Sequence, residues 1–163
     1  TRCPVIFSSD CEDMISQEER KQNVAEDLVH LPNIQVFHLT NRIRTNAEVS
    51  SFILNMMHLP GRRGLRPYPH VEVVYANDDR EAENFRKDYL RQGYRLHQEN
   101  EECLVVVMDD RYYYDEKGYL RSEHQDVRKL FHQLSRAKEE LALVVKGNET
   151  VYTVLLNLLQ GRK

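Results

Sequence analysis

The stretch LFHQLSRAKEELALVV, residues 130 to 145, sets Ser135-Arg136-Ala137-Lys138 between an amphipathic helix pattern and an apolar strand pattern. Arginine carries a planar, permanently charged fork that matches phosphate oxygens. Held at a joint between two rigid elements, Arg136 suits an arginine finger, which stabilises charge on a transferring phosphoryl group. The plainer reading is a solvated surface charge. At about 100° per residue, Arg136 falls roughly opposite the inward Leu134. It is therefore expected to project from the helix end, at the edge of the sheet.

Arg42 and Arg44 lie in LTNRIRTNAEV, between a strand pattern and a helix start. In α/β proteins that junction binds anions, because helix amides and the helix dipole point there. Arg62, Arg63 and Arg66 crowd the turn-rich loop PGRRGLRPYPH, residues 60 to 70. Such a loop can meet a polyanion or can simply be a solvated turn. Asp109-Asp110 end an apolar strand, where a carboxylate pair can hold Mg²⁺. Neighbours on a strand point to opposite faces, however, which works against both serving one ion. The tyrosines of YYYDE could stack on bases or pack as strand residues.

The six glycines never form G-x-x-x-x-G-K-[ST] or G-x-G-x-x-G. The backbone cradle for nucleotide phosphates is therefore missing from this sequence. If the chain meets a nucleotide, it supplies side chains to a site built elsewhere. The net charge of −3 excludes a uniformly basic nucleic-acid binder and leaves room only for a local basic surface. Three unpaired-looking cysteines, Cys3, Cys11 and Cys103, argue against a disulfide framework or a zinc knuckle and for a reducing cytosol. No apolar run approaches the roughly 18 residues of a membrane span. The opening TRCPVIFSSD reads as a strand without a signal-peptide pattern, so a piece of something longer is expected.

The elements that would position these residues alternate between strand and helix. PVIFSS, IQVFHL, VEVVYAN, YRLHQ, CLVVVMDD and LALVV read as strands. Helices are predicted over 17 to 30, from Asn46 as N-cap through AEVSSFILNMMHL, over 78 to 92 with Gly93 as its terminator, after a Ser122–Gln125 capping box, and over 149 to 160. Val49, Phe52, Ile53, Met56 and Met57 make one apolar stripe. YYYDEKGYL reads as a hairpin turning at Lys117-Gly118. Alternating strands and helices predict an α/β domain with a mostly parallel sheet plus this hairpin.

In order along the chain, these stretches resemble the C-terminal RecA-like domain of superfamily 1 helicases. More narrowly they are similar to the Schlafen group 3-like DNA/RNA helicase domain of bacterial ATPases. IFSSDCEDMIS looks like motif III, LTNRIRTNAEV like motif IV, and LFHQLSRAKEELALVV like motif VI. CLVVVMDDRYYYDEKGYL resembles the segment after motif V. The resemblance implies a RecA-like three-layer fold. It also implies that residues 1–16 end a first RecA-like domain and that 17–163 form the second.

By the same resemblance, Arg136 and Arg44 act as catalytic arginines reaching the γ-phosphate of ATP and Mg²⁺ bound by an upstream RecA-like domain. Asp13 stands where the family's motif III has glutamine, at the nucleotide site. Arg62, Arg63 and Arg66 would meet a DNA or RNA single strand. The protein would be cytoplasmic, and this chain alone would bind no cofactor. The alternative is a non-catalytic RecA-like module that binds a protein or nucleic-acid partner. A flavodoxin-like or receiver-like regulator built on Asp109 and Asp110 leaves the S-R-A-K joint without a role. Only four residues, ENEE, separate YRLHQ from CLVVVMDD. Parallel neighbours need about a dozen, so an insert carrying motif V is expected to be missing between 97 and 103.

Overall fold

The computed structural model describes residues 46–58, 67–96, 101–124 and 126–161, with residues 21, 22, 27 and 30. The chain divides into two compact units, Thr1–Asn41 and Arg42–Lys163. In the first, Lys21 and Asp27 are helical and the His30 N–H donates to the Asp27 carbonyl at 3.3 Å. Residues 16 and 17, the expected domain boundary, lie outside the described residues, as do PVIFSS and IQVFHL.

The second unit runs α1 (Ala47–Met56), β1 (Val71–Ala76), α2 (Asp79–Arg91), β2 (Glu101–Met108), β3 (Tyr113–Tyr114), β4 (Leu120–Arg121), α3 (Asp126–Leu134), β5 (Ala137–Lys146) and α4 (Glu149–Gln160). Three strands form a parallel sheet in the order β1-β5-β2, and β3 pairs antiparallel with β4. This is the α/β class with a parallel sheet and a small hairpin, compatible with a RecA-like arrangement. Among the described residues no helix is long and apolar enough to cross a membrane.

The layers follow from strand alternation and connection handedness. The link from β1 through α2 to β2 passes over β5. Tyr89, Ala82, Phe85 and Leu90 of α2 cover Val74, Ala76, Cys103, Val105, Ala142 and Val144. The return from β2 through α3 to β5 runs the other way, so the right-handed rule sets α3 on the opposite face. On that face the Tyr152 ring of α4 lies 5.4 Å from the ring of Tyr75, which alternates with Val74 and Ala76. Residues Leu141 to Val145 of β5 are fully buried, as a middle strand requires.

Helix α1 forms as its pattern predicts. Asn46 caps it, its side chain accepting from the Glu48 N–H at 2.9 Å, and Val49, Phe52, Ile53, Met56 and Met57 are all buried. Asp78 caps α2 in the same way at 2.8 Å, and Gly93 follows the helix at φ 101°, where a Cβ would be strained. The helix expected after the Ser122–Gln125 capping box begins at Asp126. The Ser122 hydroxyl donates to the His124 carbonyl at 2.7 Å, and Gln125, the other half of that box, lies outside the described residues.

Of the expected strand YRLHQ, the described residues 94–96 make one bridge, at Arg95. Its N–H donates to the Cys103 carbonyl at 2.8 Å, and its carbonyl accepts from the Val105 N–H at 3.1 Å, in parallel sense with Leu104. The proposed missing insert falls on residues 97 to 100, outside the described residues. Val107 corrects the expectation of a strand covered on both faces, since it is 38% exposed. It lies beyond the reach of the Arg95 bridge, on a strand with β5 as its one named neighbour.

The hairpin turns where predicted. The Asp115 carboxylate accepts from the Lys117 and Tyr119 N–H groups, both at 2.9 Å, and from Arg121 Nε at 3.0 Å. These bonds, the one from Tyr119 above all, outweigh desolvation and hold the Asp115 carboxyl below its ordinary range. A depressed folded pKa gives a contribution fully present above the unfolded value of about 3.9 and lost as pH falls through the lower folded value. Hydrogen exchange at the Lys117 and Tyr119 amides is therefore expected to lose protection as pH falls below about 4, before global unfolding. Protection that tracks the core amides down to pH 2 would contradict this.

Candidate functional site

The site is built where two chain segments meet at the amino end of β5. Helix α3 stops at Leu134, with the Ser135 N–H still donating to the Phe131 carbonyl at 3.0 Å and the Arg136 N–H to the Gln133 carbonyl at 3.3 Å. Arg136 therefore sits past the helix, in a two-residue turn, and the rotation from Leu134 does not extend to it. It leads into the middle strand of the described sheet, which corrects the expected place at a sheet edge. Its side chain is half-buried. Among the described residues no ion pair engages its guanidinium, whereas the basic side chains of Arg86, Arg111, Arg121 and Lys146, elsewhere in the unit, each hold a carboxylate.

The first residues of β5 are irregular. Glu101 pairs with Ala137, but Cys103 pairs with Glu140, so two residues on β2 face three on β5. This is a bulge, which twists the strand and frees a residue from the ladder. On its other side β5 meets β1 only from Leu141 onward. Lys138 thus belongs to neither ladder. Its carbonyl instead accepts from the Asn46 N–H at 2.5 Å. The amino end of α1 takes the place of a strand beside the Arg136 turn.

Next to this contact, the His70 carbonyl accepts from the Leu141 N–H at 2.9 Å. His70 Nε2 lies 3.7 Å from Glu48 Oε2 in the first turn of α1. That carboxylate oxygen is buried without a hydrogen-bond partner. The dipole of α1 also favours a negative charge in its first turn.

Of the residues singled out in the sequence, Arg136 is placed by this joint. Arg44, Asp13, Arg62, Arg63 and Arg66 lie outside the described residues. In the sequence Arg44 precedes by two residues Asn46, whose N–H makes the bond to Lys138. Asp109 and Asp110 do not converge. Asp109 holds Arg111 Nε at 2.8 and 3.1 Å, while Asp110 is exposed. Burial raises the Asp109 pKa, but the Arg111 hydrogen bonds and charge lower it further, so the net shift is downward. Among the described residues no group of acidic, histidine or cysteine side chains could hold a metal ion.

The tyrosines divide between packing and exposure. Tyr114 is anchored, its hydroxyl donating to the Met56 carbonyl at 3.0 Å, whereas Tyr113 is 50% exposed. Two further bonds escaped the sequence. Tyr89 of α2 donates to Glu72 of β1, and Tyr94, three residues past the end of α2, donates to Glu140 of β5, both at 2.8 Å. Burial, then the carboxylate bond, pushes both phenols far above their ordinary range. The side-chain amide of Asn148 bonds the carbonyls of Asp109 and Tyr112, at 3.2 and 2.7 Å, fixing the loop after β2. Asn148 also caps α4, its side chain accepting from the Val151 N–H at 3.2 Å, and its hold on a distant loop had no local signal. Comparison with protein-family models, with curated proteins and with solved structures gives no match.

Proposed function

We propose that this chain is the C-terminal motor domain of a cytoplasmic, nucleic-acid-dependent ATPase of helicase type. It supplies Arg136 and Arg44 to an ATP–Mg²⁺ site built on an upstream RecA-like domain. The observation that carries this reading is the bond from Asn46 to Lys138, which joins the segment that follows Arg44 to the turn that holds Arg136. Each arginine is two residues from that bond along the chain. Two residues of extended chain span at most about 7 Å, a reach that is compatible with both side chains serving one phosphate group. A half-buried arginine on a turn fixed at both ends loses little further entropy when it meets a phosphate.

In this reading the arginines stabilise the charge that develops on the transferring phosphoryl group. Arg62, Arg63 and Arg66 contact the backbone of a DNA or RNA strand, and nucleotide-dependent closure of the two domains moves that strand. The phosphate cradle and the metal are supplied by the other domain. The isolated chain is therefore expected to release no phosphate from ATP above a heat-inactivated control, with Mg²⁺ and single-stranded DNA present. Restoration of hydrolysis on adding the upstream domain, and its loss with Arg136→Ala, tests the reading directly. Turnover by the isolated chain would contradict it.

A further inference from the structure

We infer that Asn46 is a positioning residue for Arg136, acting through its main-chain N–H on the Lys138 carbonyl. The inference rests on the proposed arginine role and adds a device to it. The turn at Ser135-Arg136 is held on its helix side by bonds to the carbonyls of Phe131 and Gln133. On its strand side the β5 bulge takes Lys138 out of both ladders, so neither β1 nor β2 fixes the backbone there. The Asn46 N–H is the donor that meets this carbonyl. Ala137, between Arg136 and Lys138, pairs with Glu101, and the next ladder ties are at Glu140 and Leu141, so without the Asn46 bond the bulged stretch between Ala137 and Glu140 is left unfixed.

Asn46 is suited to the task in both halves. Its side chain caps α1 by accepting from Glu48, and its carbonyl accepts from the Ser50 N–H at 2.9 Å, so the residue is rigid on the helix side. Its N–H points away from the helix, toward β5. One residue thus ties a helix end to a strand bulge, and the orientation of the Arg136 turn follows the position of α1. A movement of α1 would shift Arg136 relative to a phosphate.

The geometry allows the N–H to be removed by itself. Asn46 has φ −50° and ψ 135°, within the range that proline's ring imposes. Asn46→Pro deletes the donor and the cap; Asn46→Ala deletes only the cap; Asn46→Ser keeps both. In the full-length protein, Asn46→Pro is expected to lower kcat for ATP by about 10²-fold, the effect of misplacing a reacting group by about 1 Å. KM for ATP is expected to change less than twofold. Asn46→Ala and Asn46→Ser should stay within about threefold of the parent kcat. In an Arg136→Ala background, Asn46→Pro should cause no further loss, because the two act as one unit.

A parent-like kcat for Asn46→Pro, or equal losses for Asn46→Pro and Asn46→Ala, would overturn the inference. The arginine role would stand in either case if Arg136→Ala remained slow. A parent-like rate for Arg136→Ala would overturn both. If Asn46→Pro loses its cooperative melt, an ester linkage before residue 46 removes the same N–H without the ring, and its kcat is read against the same limits.

Discussion

Arg136→Ala in the full-length protein is expected to cut ATP hydrolysis by about 10³-fold or more, with little change in ATP binding. The factor corresponds to about 4 kcal/mol of transition-state stabilisation. It is this large because the charge on the phosphoryl oxygens grows as the reaction proceeds, and a preorganised cation meets it without reorganising solvent. Arg136→Lys keeps the charge but loses the planar fork, and should recover only part of the rate. Arg44→Ala should behave like Arg136→Ala. The two effects should fall short of additive if both side chains serve one phosphate. Steady-state kinetics with ATP in excess separates kcat from KM, and an Arg136→Ala enzyme at the parent rate would remove the arginine-finger assignment.

The elements around this residue were legible where the signal was local. The helix over Ala47–Met56 announces itself by an asparagine cap and by apolar residues at helical spacing, and every residue of that stripe is buried. The hairpin at Asp115–Gly118 is legible because its turn needs a residue that tolerates positive φ, and Gly118 sits at 84°. What failed to read was long-range. YRLHQ has strand composition, yet whether it pairs depends on the length of chain that follows. Val107 looks like its neighbours in the apolar run, and its exposure depends on what lies beside β2.

The Asn46–Lys138 bond had no sequence signal at all. It needs a bulge on β5 and the absence of β1 below Leu141, which are properties of sheet register. Arg136 itself was legible as a candidate by its place between a helix pattern and a strand pattern. Its setting in a turn, at the start of a middle strand, was not. The residue pattern fixes where the helix weakens, but the order β1-β5-β2 is decided by crossovers.

The same sheet order makes Leu143 the position where truncation should cost the fold most. Leu143 pairs in register with Val73 on β1 and with Val106 on β2, and it has no exposed surface. Leu143→Ala leaves a cavity that strands on both sides prevent from collapsing, and a cost of about 3–5 kcal/mol is expected. That is a large part of the roughly 5–15 kcal/mol by which a domain is stable. Val107→Ala, on the same sheet but 38% exposed, should cost under about 1 kcal/mol. In urea unfolding, Leu143→Ala should shift the midpoint strongly with an unchanged slope, and Val107→Ala only slightly. Equal midpoints for the two variants would mean that β5 is not the middle of the sheet. The Arg136 turn would then have no rigid strand to lead into, and its arginine would not be preorganised.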